Sequence, residues 1–131
     1  MIVLDHTAVR ALREGHRVLL AFAATSPDDD GDRVCVPALS LLGAALEPGA
    51  PALADHIGAL IGVDFAPLDF MAYVAVEALT AVGVPWQCAQ AVHVVKSAGA
   101  GTDAEQGCVV ISSTPEAYDG TGVMVADLGK L

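Results

Sequence analysis

The feature that most restricts the fold is a recurring pair: a short run of branched aliphatic residues, then a longer stretch with helical spacing. "IVLD" at 2–5 precedes a helical pattern over 7–13, with Thr7 near its start. "CVVIS" at 108–112 precedes the turn "STPEAYDG", where Pro115 suits a first helical position. "VDFAPL" at 63–68 alternates as a strand does, and "GVMVADL" at 122–128 closes the series. Runs this apolar suit strands covered on both faces, which is the habit of parallel sheets. The alternation predicts an α/β chain, a three-layer α/β/α sandwich around a mainly parallel central sheet. At 131 residues, the chain is read as one domain, 1–131.

The helical segments carry their own punctuation. "HRVLLAFAAT" follows Gly15, and in "VCVPALSLLGAAL" Pro37 favours an extended start before a helix from Ser40 to Leu46. Residues 52–61 are expected to form a short helix. From Asp69, a natural N-cap, the residues Met71, Val74, Ala75, Ala78, Leu79 and Val82 mark one helix face, and Gly83 is a natural stop. In the next helix Gln90, His93 and Ser97 form a polar stripe, opposite a buried face of Cys88, Ala91, Val92 and Val95. "SPDDDGD" at 26–32 reads as a surface loop. Its aspartates do not make a calcium loop. Counting from Asp28, the positions that need Gly and Glu hold Arg33 and Leu39.

Composition narrows the partners. Apolar residues are 54% of the chain, which leaves apolar surface for a second chain, and a homodimer through the helices near 34–46 and 52–61 is expected. The net charge of −10 opposes non-specific binding to RNA or DNA. One basic face is conceivable, because Arg10, Arg13 and Arg17 share a side if a single helix runs through Gly15. Otherwise they are a solvated face. Cys35, Cys88 and Cys108 have no zinc spacing and read as buried small hydrophobes in a reducing cytoplasm. Asp5 in the first turn argues against a signal peptide. The most apolar stretch, from Phe70 to Val95, holds Glu77, Pro85, Gln87 and Gln90, so it reads as two packed helices rather than a membrane span.

In parallel sheets function gathers at the carboxyl ends of the strands, where Asp5, "SSTPEAY" and "QCAQAVHVV" would meet. Four segments, "MIVLDHTAV", "VPALSLLGAAL", "VPWQCAQAVHVVKSAGA" and "VVISSTPEAYDGTGVMVADL", together resemble PIN domains, the fold of VapC-type toxin ribonucleases. The resemblance spans essentially the whole chain in the right order. It implies adjacent strands at 2–5 and 108–112, and a cleft in which Asp5, Gly43, Gln90 and Thr114 converge. Active members hold Mg²⁺ or Mn²⁺ with about four carboxylates, as hard ions require oxygen ligands. Here the first acid is present as Asp5, with Thr7 where the family often has a small hydroxyl residue. The second, third and fourth fall on Gly43, Gln90 and Thr114.

This departure implies a non-catalytic PIN-like binding or scaffold module, without a metal or cofactor, that acts as a homodimer or with an antitoxin-like protein. The alternative is a Mg²⁺- or Mn²⁺-dependent endoribonuclease toxin, with Asp69, Glu116 or Asp119 compensating. A small-molecule α/β domain ranks last, since no glycine-rich phosphate loop appears. Asp5 itself has three readings: a helix cap, a remnant ligand, or a catalytic acid. With the other acids gone, Gln90 and Thr114 are expected to hydrogen-bond Asp5 or water, and Asp5→Asn to cost little beyond a weakened cap. His6 reads as a bystander, because no serine or cysteine stands at a spacing that suggests a triad, and His93 is expected at the surface or an interface, with lining the cleft as the alternative.

Overall fold

The computed structural model describes residues 1–24, 33–48, 57–60, 62–99 and 107–131. Its five strands form one sheet in the order β3-β2-β1-β4-β5, every pair parallel. They are β1 (Ile2–Leu4), β2 (Val34–Pro37), β3 (Val63–Ala66), β4 (Val109–Ser112) and β5 (Val125–Asp127). As expected, β1 and β4 are neighbours, with Ile2 opposite Val109 and Leu4 opposite Ile111. The helices are α1 (His6–Arg13), α2 (Arg17–Ala23), α3 (Ala38–Ala45), α4 (Phe70–Ala81) and α5 (Trp86–Gly99). The expected surface loop at 26–32 and most of the expected helix at 52–61 lie outside the described residues.

Strand alternation divides the core in two. Ile2, Leu4, Val34, Val36 and Ile111 point to one face of the sheet, where they pack with Val9 and Leu12 of α1 and Leu19 of α2. Val3, Cys35 and Val110 point to the other, against Cys88, Ala91, Val92 and Val95 of α5. Because successive strand residues alternate between faces, a run apolar at every position is what a doubly covered sheet demands. The result is the three-layer α/β sandwich read from the sequence.

One helix boundary lies where the pattern placed it, and one helix face needs correction. Gly15 separates two helices, so the single helix that would align the arginines does not form. Gly15 adopts φ +90°, and His16 N–H donates to Ala11 O at 3.0 Å while Gly15 N–H donates to Leu12 O at 3.1 Å. That pair of bonds is a Schellman C-cap, which needs the left-handed backbone glycine supplies at little cost. Arg17 therefore begins a second helix, and the three arginines share no helix face.

On α4 the period was right but the phase was not. Ala72 and Val76 are its buried residues, whereas Met71 and Val74 are exposed. "FMAYVAVEALTA" is apolar on nearly every side, so spacing alone offers two stripes and cannot choose between them. The choice is made by packing against α5. Asp69 does cap α4, accepting from Ala72 N–H at 2.8 Å, and Gly83 at φ +98° ends it.

Candidate functional site at the carboxyl ends of the strands

All strands of a parallel sheet finish on one side, so Asp5, Pro37, Ala66 and Ser112 begin the loops at a single edge. Asp5 is fully buried there. A buried carboxylate must be bonded, and this one is. Oδ1 accepts from Thr7 N–H at 2.9 Å, Ala8 N–H at 3.1 Å and Thr7 Oγ1 at 2.6 Å; Oδ2 accepts from Tyr118 Oη at 2.9 Å. The cap reading of Asp5 thus holds: two of its partners are first-turn amides of α1. Thr7 Oγ1 also accepts from Ser113 N–H at 2.9 Å, tying the start of α1 to the loop after β4. Thr114 caps the short 3₁₀ turn Pro115–Tyr118, and its amide donates to Ser112 Oγ at 3.0 Å.

Gln90 is buried, not part of an exposed stripe. Its Oε1 accepts from Leu39 N–H at 2.8 Å, and its Nε2 donates to Ala66 O at 3.2 Å and Pro67 O at 3.0 Å. The amide stitches the loops after β2 and β3 together. A carboxylate could not replace it, since the two carbonyls need a donor. Gly43 lies against His6 and Gln87. A Cβ built there would stand 3.0 Å from His6 Cβ and 3.0 Å from Gln87 Cγ, so a larger side chain would have to displace both. Of the expected cluster, then, Asp5 and Thr7 meet the Ser113–Thr114 loop, while Gly43 meets His6. Gln90 turns its head towards β2 and β3. The expected bonds from Gln90 and Thr114 to Asp5 do not form; Thr7, Ala8 and Tyr118 take those places. With a buried carboxylate satisfied by four donors, Asp5→Asn loses more than a cap.

Sequence spacing missed what Asp5 does gather. A carboxylate oxygen of Asp5, a ring nitrogen of His6 and Cys88 Sγ lie within 4.8 Å of one another. Among the described residues this is the one convergent group of three or more His, Cys, Asp or Glu donors, and Asp69, Glu116 and Asp119 do not join it. Burial pushes the Cys88 thiol up to about 11, against the pull of the nearby Tyr118 hydroxyl and with the help of the Asp5 charge. Burial, then the Asp5 and Cys88 charges, raise the Tyr118 phenol far above its ordinary value, so it remains a proton donor. His6 and Cys88 are 82 positions apart, and nothing in the sequence pairs them. The only available signal was the presence of both residue types in segments bound for the same sheet edge.

The group is not a cysteine nucleophile. A catalytic thiol is activated by a lowered pKa, whereas Cys88 is raised and 1% exposed. Nor does the set fit Mg²⁺ or Mn²⁺. It offers one carboxylate beside an imidazole and a thiol, and hard ions favour near-octahedral oxygen.

No protein-family model and no curated protein matches the chain.

The remaining expected residues stand elsewhere. Arg10 pairs with Glu47 at 2.7 Å and Glu14 at 3.4 Å, and Arg13 reaches Glu14 at 3.7 Å. The hydrogen bond to Glu14, followed by the Glu47 charge, raises the Arg10 guanidinium further. These acids remove the basic face. Arg17 instead lines an open cleft of about 920 Å³ with Glu14, Phe22 and Leu131, away from Asp5. His93 is half-buried, its ring 3.4 Å from Ser97 Oγ. The three cysteines are buried. Among the described residues no helix is long and apolar enough to cross a membrane.

Proposed function

We propose that the chain is a non-catalytic, PIN-like binding module whose strand-end acidic site has become a hydrogen-bonded neutral junction. The observation that carries this reading is Gln90. It occupies the position of the third acid, and its amide is spent on Leu39 N–H, Ala66 O and Pro67 O. Close packing of Gly43 on His6 and Gln87 supports it, because no acid fits the second position without displacing them. The module works by presenting surface. Phe70, Met71, Tyr73 and Val74 of α4 are exposed, as is Phe65 of the edge strand β3. We assign the exposed face of α4 to self-association, with an antitoxin-like protein as the other candidate partner. Cys35 and Cys88, buried and in no disulfide, support a cytoplasmic setting.

The test is incubation of the purified protein with single-stranded RNA and millimolar Mg²⁺ or Mn²⁺. No cleavage is expected, and neither ion should raise the melting temperature, since a ligand far below its dissociation constant shifts folding negligibly. Metal-dependent cleavage that disappears in Asp5→Asn would establish the ribonuclease alternative instead.

A further inference from the structure

The Asp5–His6–Cys88 group is left over from this reading, and its chemistry is specific. Carboxylate, imidazole and thiol together are borderline-soft donors, the set that zinc-class ions select over Mg²⁺. We propose that Asp5, His6 and Cys88 form a three-ligand site for Zn²⁺ or a similar late divalent ion. The resemblance gives His6 and Cys88 no role and shares only Asp5 with this group, so the site stands on its own geometry.

Geometry comes first. The three donor atoms already lie within 4.8 Å of one another. Zinc bond lengths of about 2.0–2.3 Å put tetrahedral ligands about 3.3–3.8 Å apart, so closure needs no pair to move more than about 1.5 Å. His6 heads α1 and is half-buried, so its ring has room to make that adjustment. An independent observation points the same way. His6 Nδ1 is buried and, among the described residues, has no hydrogen-bond partner. An orphaned buried ring nitrogen beside a thiol and a carboxylate is a ligand position awaiting its acceptor.

Electrostatics and support agree. A divalent ion bound by a carboxylate, a thiolate and a neutral imidazole makes an uncharged assembly, which burial tolerates far better than a net charge. Asp5 is held by outer partners as metal-binding carboxylates usually are: Thr7 and Ala8 fix Oδ1, and Tyr118 leaves one lone pair of Oδ2 free. The fourth position falls to water. Binding balances as one proton released: the Cys88 S–H bond breaks, an S–metal bond forms, and the proton leaves to solvent. Because binding releases the thiol proton, affinity should rise with pH.

Cobalt(II) is the probe, added anaerobically to the full chain in a phosphine reductant. A near-ultraviolet thiolate-to-cobalt charge-transfer band should appear and saturate at one ion per chain, with intense visible bands of a four-coordinate ion. Equimolar Zn²⁺ should bleach it, and excess Mg²⁺ should not. Cys88→Ser should abolish the charge-transfer band, whereas Cys35→Ser should keep it. His6→Ala changes a half-buried side chain that has no Nδ1 partner, so it should fold, and should weaken binding tenfold or more. Absence of the band in the unaltered protein, its survival in Cys88→Ser, or undiminished affinity in His6→Ala would each overturn the site. None of these readouts depends on RNA cleavage, so failure here leaves the proposed function standing, and the reverse.

Discussion

The carboxyl edge of the sheet and the outer face of α4 treat their side chains in opposite ways. At the edge, Asp5, Gln90 and Ser112 are buried, and each is bonded. On α4, Phe70 is 76% exposed and Met71 67%, with no polar partner to explain them. Buried polar groups cost free energy unless matched, and exposed apolar groups are idle unless covered. The edge is therefore where this fold is held, and the α4 face is where it is available to others.

That contrast can be broken hardest at Gln90. Gln90→Glu keeps an acceptor for Leu39 N–H but turns a carboxylate on Ala66 O and Pro67 O. We expect a loss of about 3 kcal/mol at neutral pH by urea denaturation. The sign with pH is definite. The introduced acid has its folded pKa raised, so the unfolded chain ionises first, and the penalty grows as pH rises above about 4.3. A protonated carboxyl can donate again, so acidification should recover much of the loss.

Tyr118→Phe removes one donor from a buried carboxylate, and thermal denaturation should show a loss of about 2 kcal/mol. Equal stability would mean that Asp5 Oδ2 finds another donor, and would blur the distinction between a filled edge and an open face. On the other side, Met71→Lys should leave stability within about 0.5 kcal/mol, because the site is exposed. The same variant should shift sedimentation of a self-associating protein towards monomer. A large stability loss without a change in assembly would place Met71 in a core. The smallest effect is expected at Arg33→Ala. Its 2.7 Å ion pair with Asp64 is exposed and screened by solvent, so the melting temperature should not move measurably.

Much of the fold was legible because it depended on periods. "IVL" and "VVIS" are apolar on every residue, and both became central strands of a parallel sheet. Asp69 and Gly83 bracketed α4 correctly, since capping is local chemistry. Phase was not legible on a helix apolar all round, whereas the break at Gly15 was, because a glycine between two helical patterns is local punctuation. Position 5 was found, and its capping role follows from the two amides that come after it. Cys88 and Tyr118 were not found, because their meeting with Asp5 depends on the sheet order, and no local pattern encodes that.

The placement of β1 has a kinetic consequence. It is the central strand, flanked by β2 and β4, although it comes first in sequence. Its pairing with β4 joins residues more than a hundred positions apart, as Ile2 with Val109. A chain folding as it is synthesised must hold Ile2, Val3 and Leu4 with one edge open until the segment near residue 109 arrives. Refolding should accordingly be slow for a domain of this size, with closure of the β1–β4 ladder as the late event. The bond from Ser113 N–H to Thr7 Oγ1 joins the same two segments, so the filled carboxyl edge should be completed together with that ladder.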